Sequence, residues 1–191
     1  FSDPVNYERV LDDAKIRVRL EDVGAAPAVA RGNLAQPPRS RLIIGLPQFH
    51  AVSSWQDVQT CAAPLERTIT SLDEYVDACL EIFSRCKQAG AVAFKDQSAY
   101  ARPIDYANPT RAEAEAAFNW FMEDPRRRLS YPDGNKPLGD FLFHAFMRAA
   151  RDLDLPVQIH TGHMAGIRND IVKTNAVGLT RLIELHMDTR F

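Results

Sequence analysis

The chain has 191 residues, the length of one ordinary domain, and its 46% hydrophobic and 25% charged residues are a composition that buries a core and argues against disorder. A formal net charge of −2 argues against a nucleic-acid or anionic-membrane surface, and no apolar run approaches the roughly 18 residues of a transmembrane helix. The three cysteines, Cys61, Cys79 and Cys86, lack metal-site or disulfide spacing and read as reduced thiols of a cytoplasmic protein; no signal peptide is visible.

In chain order, four short apolar segments read as buried strands: Ile16–Val23, Leu42–Leu46, Ala91–Phe94 and Val157–Ile159. The stretch Gly24–Ser40, rich in Ala, Pro and Gly, reads as a loop. Ser71 and Glu74 form a capping box that opens a helix, and Gly90 stands where its C-terminal cap belongs. Between them Leu72, Tyr75, Val76, Cys79, Leu80, Ile82, Phe83 and Cys86 make a broad apolar stripe. Thr110 and Glu113 repeat the capping box. Pro137 suits the first turn of a helix presenting Leu138, Phe141, Leu142, Ala145, Phe146 and Ala149, and a last helix follows Asn175. The loop Asp124–Lys136 joins two helices on the return path of the chain and is assigned no catalytic role; its Arg126–Arg128 run reads as a solvated turn. Strands alternating with helices predict a parallel α/β sheet in a single domain over 1–191, with a doubly wound sheet and a barrel both open on pattern alone. No glycine-rich phosphate loop follows a strand, which lowers the nucleotide-binding reading.

The segment Pro156–His163 carries the strongest chemical signal. An apolar strand delivers His160 at its C-terminal end, and alternation places Gln158 and His160 on one face. In a β/α barrel that end is the catalytic face, where a neutral imidazole can bind a divalent metal. His163, beyond the glycine, reads either as a substrate contact or as an exposed loop residue. A second strand ends in Lys95, beside Asp96. Such a lysine can bind an anion, act as a buried base, be carboxylated and bridge metals, or simply pair with Asp96. The following loop offers Tyr100 as a hydrogen-bond donor and Arg102 as a carboxylate clamp; tyrosine packing and a structural ion pair are the bland alternatives. His50 is a weaker candidate. His144 and His186 read as structural, with His186 placed to complement a helix C-terminal dipole. There is no GxSxG turn and no HExxH.

Three segments, taken in order, resemble the amidohydrolase superfamily, in its amidohydrolase 2 branch. They are Gly90–Arg102 (GAVAFKDQSAYAR), Lys136–Ala150 (KPLGDFLFHAFMRAA) and Leu155–Gly162 (LPVQIHTG). The resemblance implies a (β/α)8 TIM barrel, of which this chain covers about strands 2 to 5, and a divalent metal, zinc foremost, at the C-terminal face. By position it implies His160 as the fifth-strand metal ligand and Lys95 as the fourth-strand lysine, a metal or substrate ligand. The family's HxH on the first strand, histidine on the sixth and aspartate on the eighth have no counterpart here. The chain is therefore expected to be a fragment, or a half-barrel that pairs with a second copy as a homo-oligomer, and to be inactive by itself. The implied activity is metal-dependent hydrolysis of a small-molecule amide, ester or lactone by activated water, with catalytic Lys95 and His160 and with Tyr100, Arg102 and His163 against the substrate. A decarboxylase of the same superfamily and a non-catalytic binding module are the alternatives.

Overall fold

The structure, a computed structural model, describes residues 4–22, 26, 30–32, 38–167 and 169–191. Its elements in order are α1 (Pro4–Asp13), β1 (Arg19–Glu21), β2 (Ser40–Gly45), α2 (Pro47–His50), α3 (Trp55–Ala62), α4 (Leu72–Gln88), β3 (Ala93–Asp96), α5 (Arg111–Met122), α6 (Lys136–Asp152), β4 (Val157–Ile159) and α7 (Thr180–Leu185). The four strands form one parallel sheet in chain order, β1-β2-β3-β4, curled as a half-barrel. No described helix is long and apolar enough to cross a membrane.

Local sequence explains the helix ends. Ser71 caps α4 by accepting from the Glu74 amide, while the Glu74 carboxylate reaches one residue further back, to the Thr70 amide, so the reciprocal box is not closed. At the other end Gly90, at φ +97°, sets up a Schellman turn: its own amide donates to Lys87 and that of Ala91 to Cys86. Thr110 and Glu113 do close a capping box on α5, and Pro137 sits in the first turn of α6 as expected.

Strand limits depart from the sequence reading where pairing decides them. β1 starts only at Arg19 because its one neighbour, β2, begins opposite it at Ser40; Ile16 and Val18 precede any partner. Val23, at the expected end of that strand, lies outside the described residues, as does much of 24–40; Ala26 and Ala30 of that stretch are buried in the core. β3 starts two residues later than expected, since Ala91 is held in the helix-capping turn, and it continues to Asp96 by pairing with Ile159. β4 spans Val157–Ile159 as expected.

One face of the sheet carries Leu42, Ile44, Phe94 and Val157 into the main apolar core under the helices. Phe83 is the hub of that core, with Phe49, Phe94 and Phe146 edge-on at 5.0, 5.0 and 5.1 Å between ring centroids. Cys79 and Cys86 are buried on the same side of α4, with free thiols, as their spacing suggested. α6 is buried over most of its circumference, Asp140 and His144 included, because α4 and α5 both pack on it. The opposite, inner face of the sheet carries Ile43 and Ala93, buried but outside the main cluster, then Gly45, Lys95 and the exposed Gln158.

Candidate active site at the strand ends

Register aligns the inner-face residues. Gly45 pairs with Lys95 and Lys95 with Gln158, so the three lie in one row near the C-terminal strand ends. Two residues beyond Gln158, His160 continues on the same side, and its amide donates to the carbonyl of Asp96 at 2.9 Å. Lys95 and His160 thus share the inner face. Burial depresses the Lys95 amine below the ordinary lysine value, and Asp22 and Asp96 partly offset this.

His160 is half-buried, and its Nε2 is 2.5 Å from the carbonyl oxygen of His163. A carbonyl only accepts, so this contact places a proton on Nε2 and leaves Nδ1 of the neutral ring with its lone pair. The Tyr100 ring lies 5.0 Å from the imidazole, and its hydroxyl accepts from the Ala165 amide at 3.1 Å. His163 itself is exposed and meets His160 through its backbone. Lys95, His160, Tyr100 and His163 are therefore brought to one end of the sheet.

Arg102 is not among them. Its side chain is 2% exposed, with Nη1 2.6 Å from Asp140 Oδ1 and the guanidinium stacked 4.9 Å over Tyr106. Of the two roles open in the sequence, the geometry matches the structural ion pair and places the guanidinium under the surface. Asp96 also differs from one expectation. Adjacent strand residues face opposite ways, so it points away from Lys95 into a fully buried network. Tyr106 donates to it at 2.7 Å and Ser98 Oγ at 2.6 Å, with His50 Nε2 at 3.3 Å. Burial pushes the Asp96 carboxyl up, but the bonds from His50, Ser98 and Tyr106 outweigh it and hold the group below the usual carboxylate range. Ser98, His50 and Asp96 are not a nucleophilic triad: serine and aspartate both meet the same imidazole nitrogen, and all three are buried.

Sequence reasoning overlooked two features. Asp22, just past β1, brings Oδ1 to 2.8 Å from where a Cβ on Gly45 would stand, so the glycine makes room for the carboxylate on the inner face. The only local signal for it was an acid following a strand. The second is the loop 124–136. It is pinned to the segment after β2, with the Leu129 amide donating to Ser53 at 2.8 Å and the Asn135 side chain to Val52 at 3.2 Å. It lines a cavity of about 470 Å³ there with Arg128 and Tyr131, contrary to its expected place on the return path. His186 stands at the C-cap of α7 in a structural role, as its place in the sequence suggested, but not as a cation for the helix dipole: its ring bonds to His144, and burial together with the His144 and Arg148 neighbours pushes it down to about 4.

Among the described residues, no group of three or more His, Cys, Asp or Glu is arranged to hold a metal. His160 fits as one ligand through Nδ1, and an uncharged Lys95 or its carbamate as a second. A zinc centre takes about three protein ligands, more than these two residues offer.

No known family profile matches the sequence, and no curated protein does. Solved structures share the fold. A Lactobacillus casei protein described as a candidate metal-dependent hydrolase is 19% identical, with a TM-score of 0.55 over 76% of this chain and 34% of its own. Uronate isomerase from Thermotoga maritima is 13% identical, with a TM-score of 0.63 over 93% of this chain and 43% of its own. Glucuronate isomerase from Caulobacter crescentus is 16% identical, with a TM-score of 0.57 over 92% and 40%. The chain thus spans 34% to 43% of the length of these structures.

Proposed function

We propose that this chain forms about strands 2 to 5 of a (β/α)8 barrel of the amidohydrolase superfamily, whose activity is metal-dependent hydrolysis of a small amide, ester or lactone. The observation that carries the reading is the convergence of Lys95 and His160 on the inner face, at the C-terminal ends of a curled parallel sheet. In barrels of this kind that end is the catalytic one. A divalent metal at such a site supplies activated water and a polarised carbonyl. His160 offers Nδ1 as a ligand, its ring fixed by the His163 carbonyl. Lys95, its charge disfavoured by burial, is suited to carboxylation or to neutral coordination. Tyr100 covers the imidazole, so Tyr100 and His163 are the proposed substrate-side residues, together with whatever completes the barrel wall.

The test is metal content and turnover of 4-nitrophenyl acetate and a simple δ-lactone by the protein carrying this chain. Chelator-sensitive hydrolysis is expected, with metal lost from His160→Ala and activity lost from both His160→Ala and Lys95→Ala. Hydrolysis indifferent to the chelator and to His160→Ala would overturn the reading. Two of the fold neighbours are uronate isomerases aligned over nearly the whole chain, which favours isomerisation of an acid sugar as a second reading. Aldose-to-ketose conversion without water incorporation selects it. Carbon dioxide release selects the decarboxylase.

A further inference from the structure

A small polar recess of about 250 Å³ lies at the ends of the first three strands, lined by Asp22, Gly45, Pro47, Gln48 and Gln97. Its polar groups are one carboxylate and two glutamine amides. Asp22 Oδ2 accepts from the Gln97 side-chain amide, which holds the carboxylate in place and uses one of that group's two N–H donors. Gln48 likewise uses one N–H of its side-chain amide on the Gly45 carbonyl at 3.2 Å. Asp22 Oδ1 takes no bond from any described residue, and it stands over Gly45, where a side chain would push it aside. Asp22 Oδ1, the two glutamine Oε1 atoms and the second N–H of each glutamine amide therefore remain, among the described residues, to meet a ligand. The carboxylate disfavours anions, and amide groups that both donate and accept match hydroxyls, which do the same, with some apolar wall left for the carbons between them. The volume falls below the several hundred Å³ of a whole small-molecule pocket, so it holds part of a ligand.

We propose that Asp22, Gln48 and Gln97, with the clearance at Gly45, form a hydroxyl-binding subsite that takes a vicinal diol of a polyol or sugar-like ligand. The subsite rests on the reading of these strand ends as the active face, and it specifies the substrate class there as polyhydroxylated. Asp22 acts as a binding residue, Gln97 as the positioning residue that orients it.

The test is binding to the isotope-labelled protein that carries this chain, followed by the amide chemical shifts of these residues, with no metal and no turnover involved. The probes are D-glucitol, 1,6-hexanediol as the chain without vicinal hydroxyls, and hexane-1,6-diamine as a cation. Glucitol is expected to shift the Gly45, Gln48 and Gln97 amides, and hexanediol to leave them in place. A hydrogen bond to a charged group corresponds to about a tenfold or larger change in affinity, so Asp22→Ala should weaken glucitol by at least that factor. Gly45→Ala should do the same without removing the carboxylate, because its Cβ meets Oδ1. Should Asp22→Ala lose its dispersed spectrum, Asp22→Asn carries the comparison, with a smaller loss expected. Silence of these amides, equal binding of hexanediol, unchanged affinity in the folded variants, or capture of the diamine in place of glucitol each overturns the proposal. Because no chemistry is read, a failed hydrolase assay leaves this result standing, and a failed titration leaves the hydrolase reading standing.

Discussion

Acid should destabilise this fold above the range where carboxylates titrate, and the cause should be the burial of two neighbouring histidines, His144 and His186. His144 Nε2 lies 2.9 Å from the Ala107 carbonyl and so carries a proton there. Its Nδ1 then accepts from His186 Nε2 at 2.7 Å, which requires His144 to be neutral, while His186 is the donor. The surroundings reinforce this. Burial, His144, Arg148 and Arg151 hold His186 down to about 4, with only Asp188 opposing; burial also lowers His144, against Ala107 and Asp140. Both groups are bases with depressed folded values, so the unfolded chain binds more protons below its own value near 6.5. Their contribution is full above about pH 6.5 and drains away as pH falls toward about 4. For His186 alone, screened in part by solvent, the loss on going from about pH 7.5 to about pH 5 should be on the order of 1–2 kcal/mol. Urea unfolding followed by circular dichroism across this window measures it. His186→Leu, which cannot titrate, should flatten the dependence while lowering stability near neutrality. A flat wild-type profile between about pH 7.5 and pH 5, or the same slope in His186→Leu, would refute the reasoning.

Arg102 and Asp140 should behave as structure, with unequal costs. Asp140→Ala strands a buried guanidinium and should destabilise by about 3–5 kcal/mol, whereas Arg102→Ala leaves Asp140 with Lys136 at 2.9 Å and the Ala107 amide and should cost less; paired urea melts decide it, and an Arg102→Ala that weakens substrate binding at unchanged stability would contradict its placement. Phe83→Ala, removing the ring shared by Phe49, Phe94 and Phe146, should cost about 3–5 kcal/mol and Phe83→Leu clearly less, both read as shifts in the denaturation midpoint.

What the sequence determined by itself is what short stretches of chain decide. The caps at Ser71, Thr110 and Gly90 close hydrogen bonds within a few residues, and their signals were all visible. The apolar run Val157–Ile159 gave β4 and placed His160 just past its end, and alternation with helices gave the parallel order. Alternation likewise put His160 on the face where register then aligned Lys95. What only the tertiary structure decided depends on neighbours distant in sequence. β1 begins where β2 offers it partners, so Ile16 and Val18 fall outside the strand despite their β propensity. Asp96 finds His50, 46 residues away, instead of the adjacent Lys95, because strand geometry turns the two to opposite faces. Arg102 turns inward because Asp140 on α6 waits there, and no local pattern distinguishes that arginine from a substrate clamp. The Asp22–Gly45 fit and the His144–His186 bridge, 42 residues apart, have no local signature either. A side chain's chemistry can be read from its identity, but the partner that satisfies or frees it is chosen by packing, and packing here brings together residues that the chain keeps far apart.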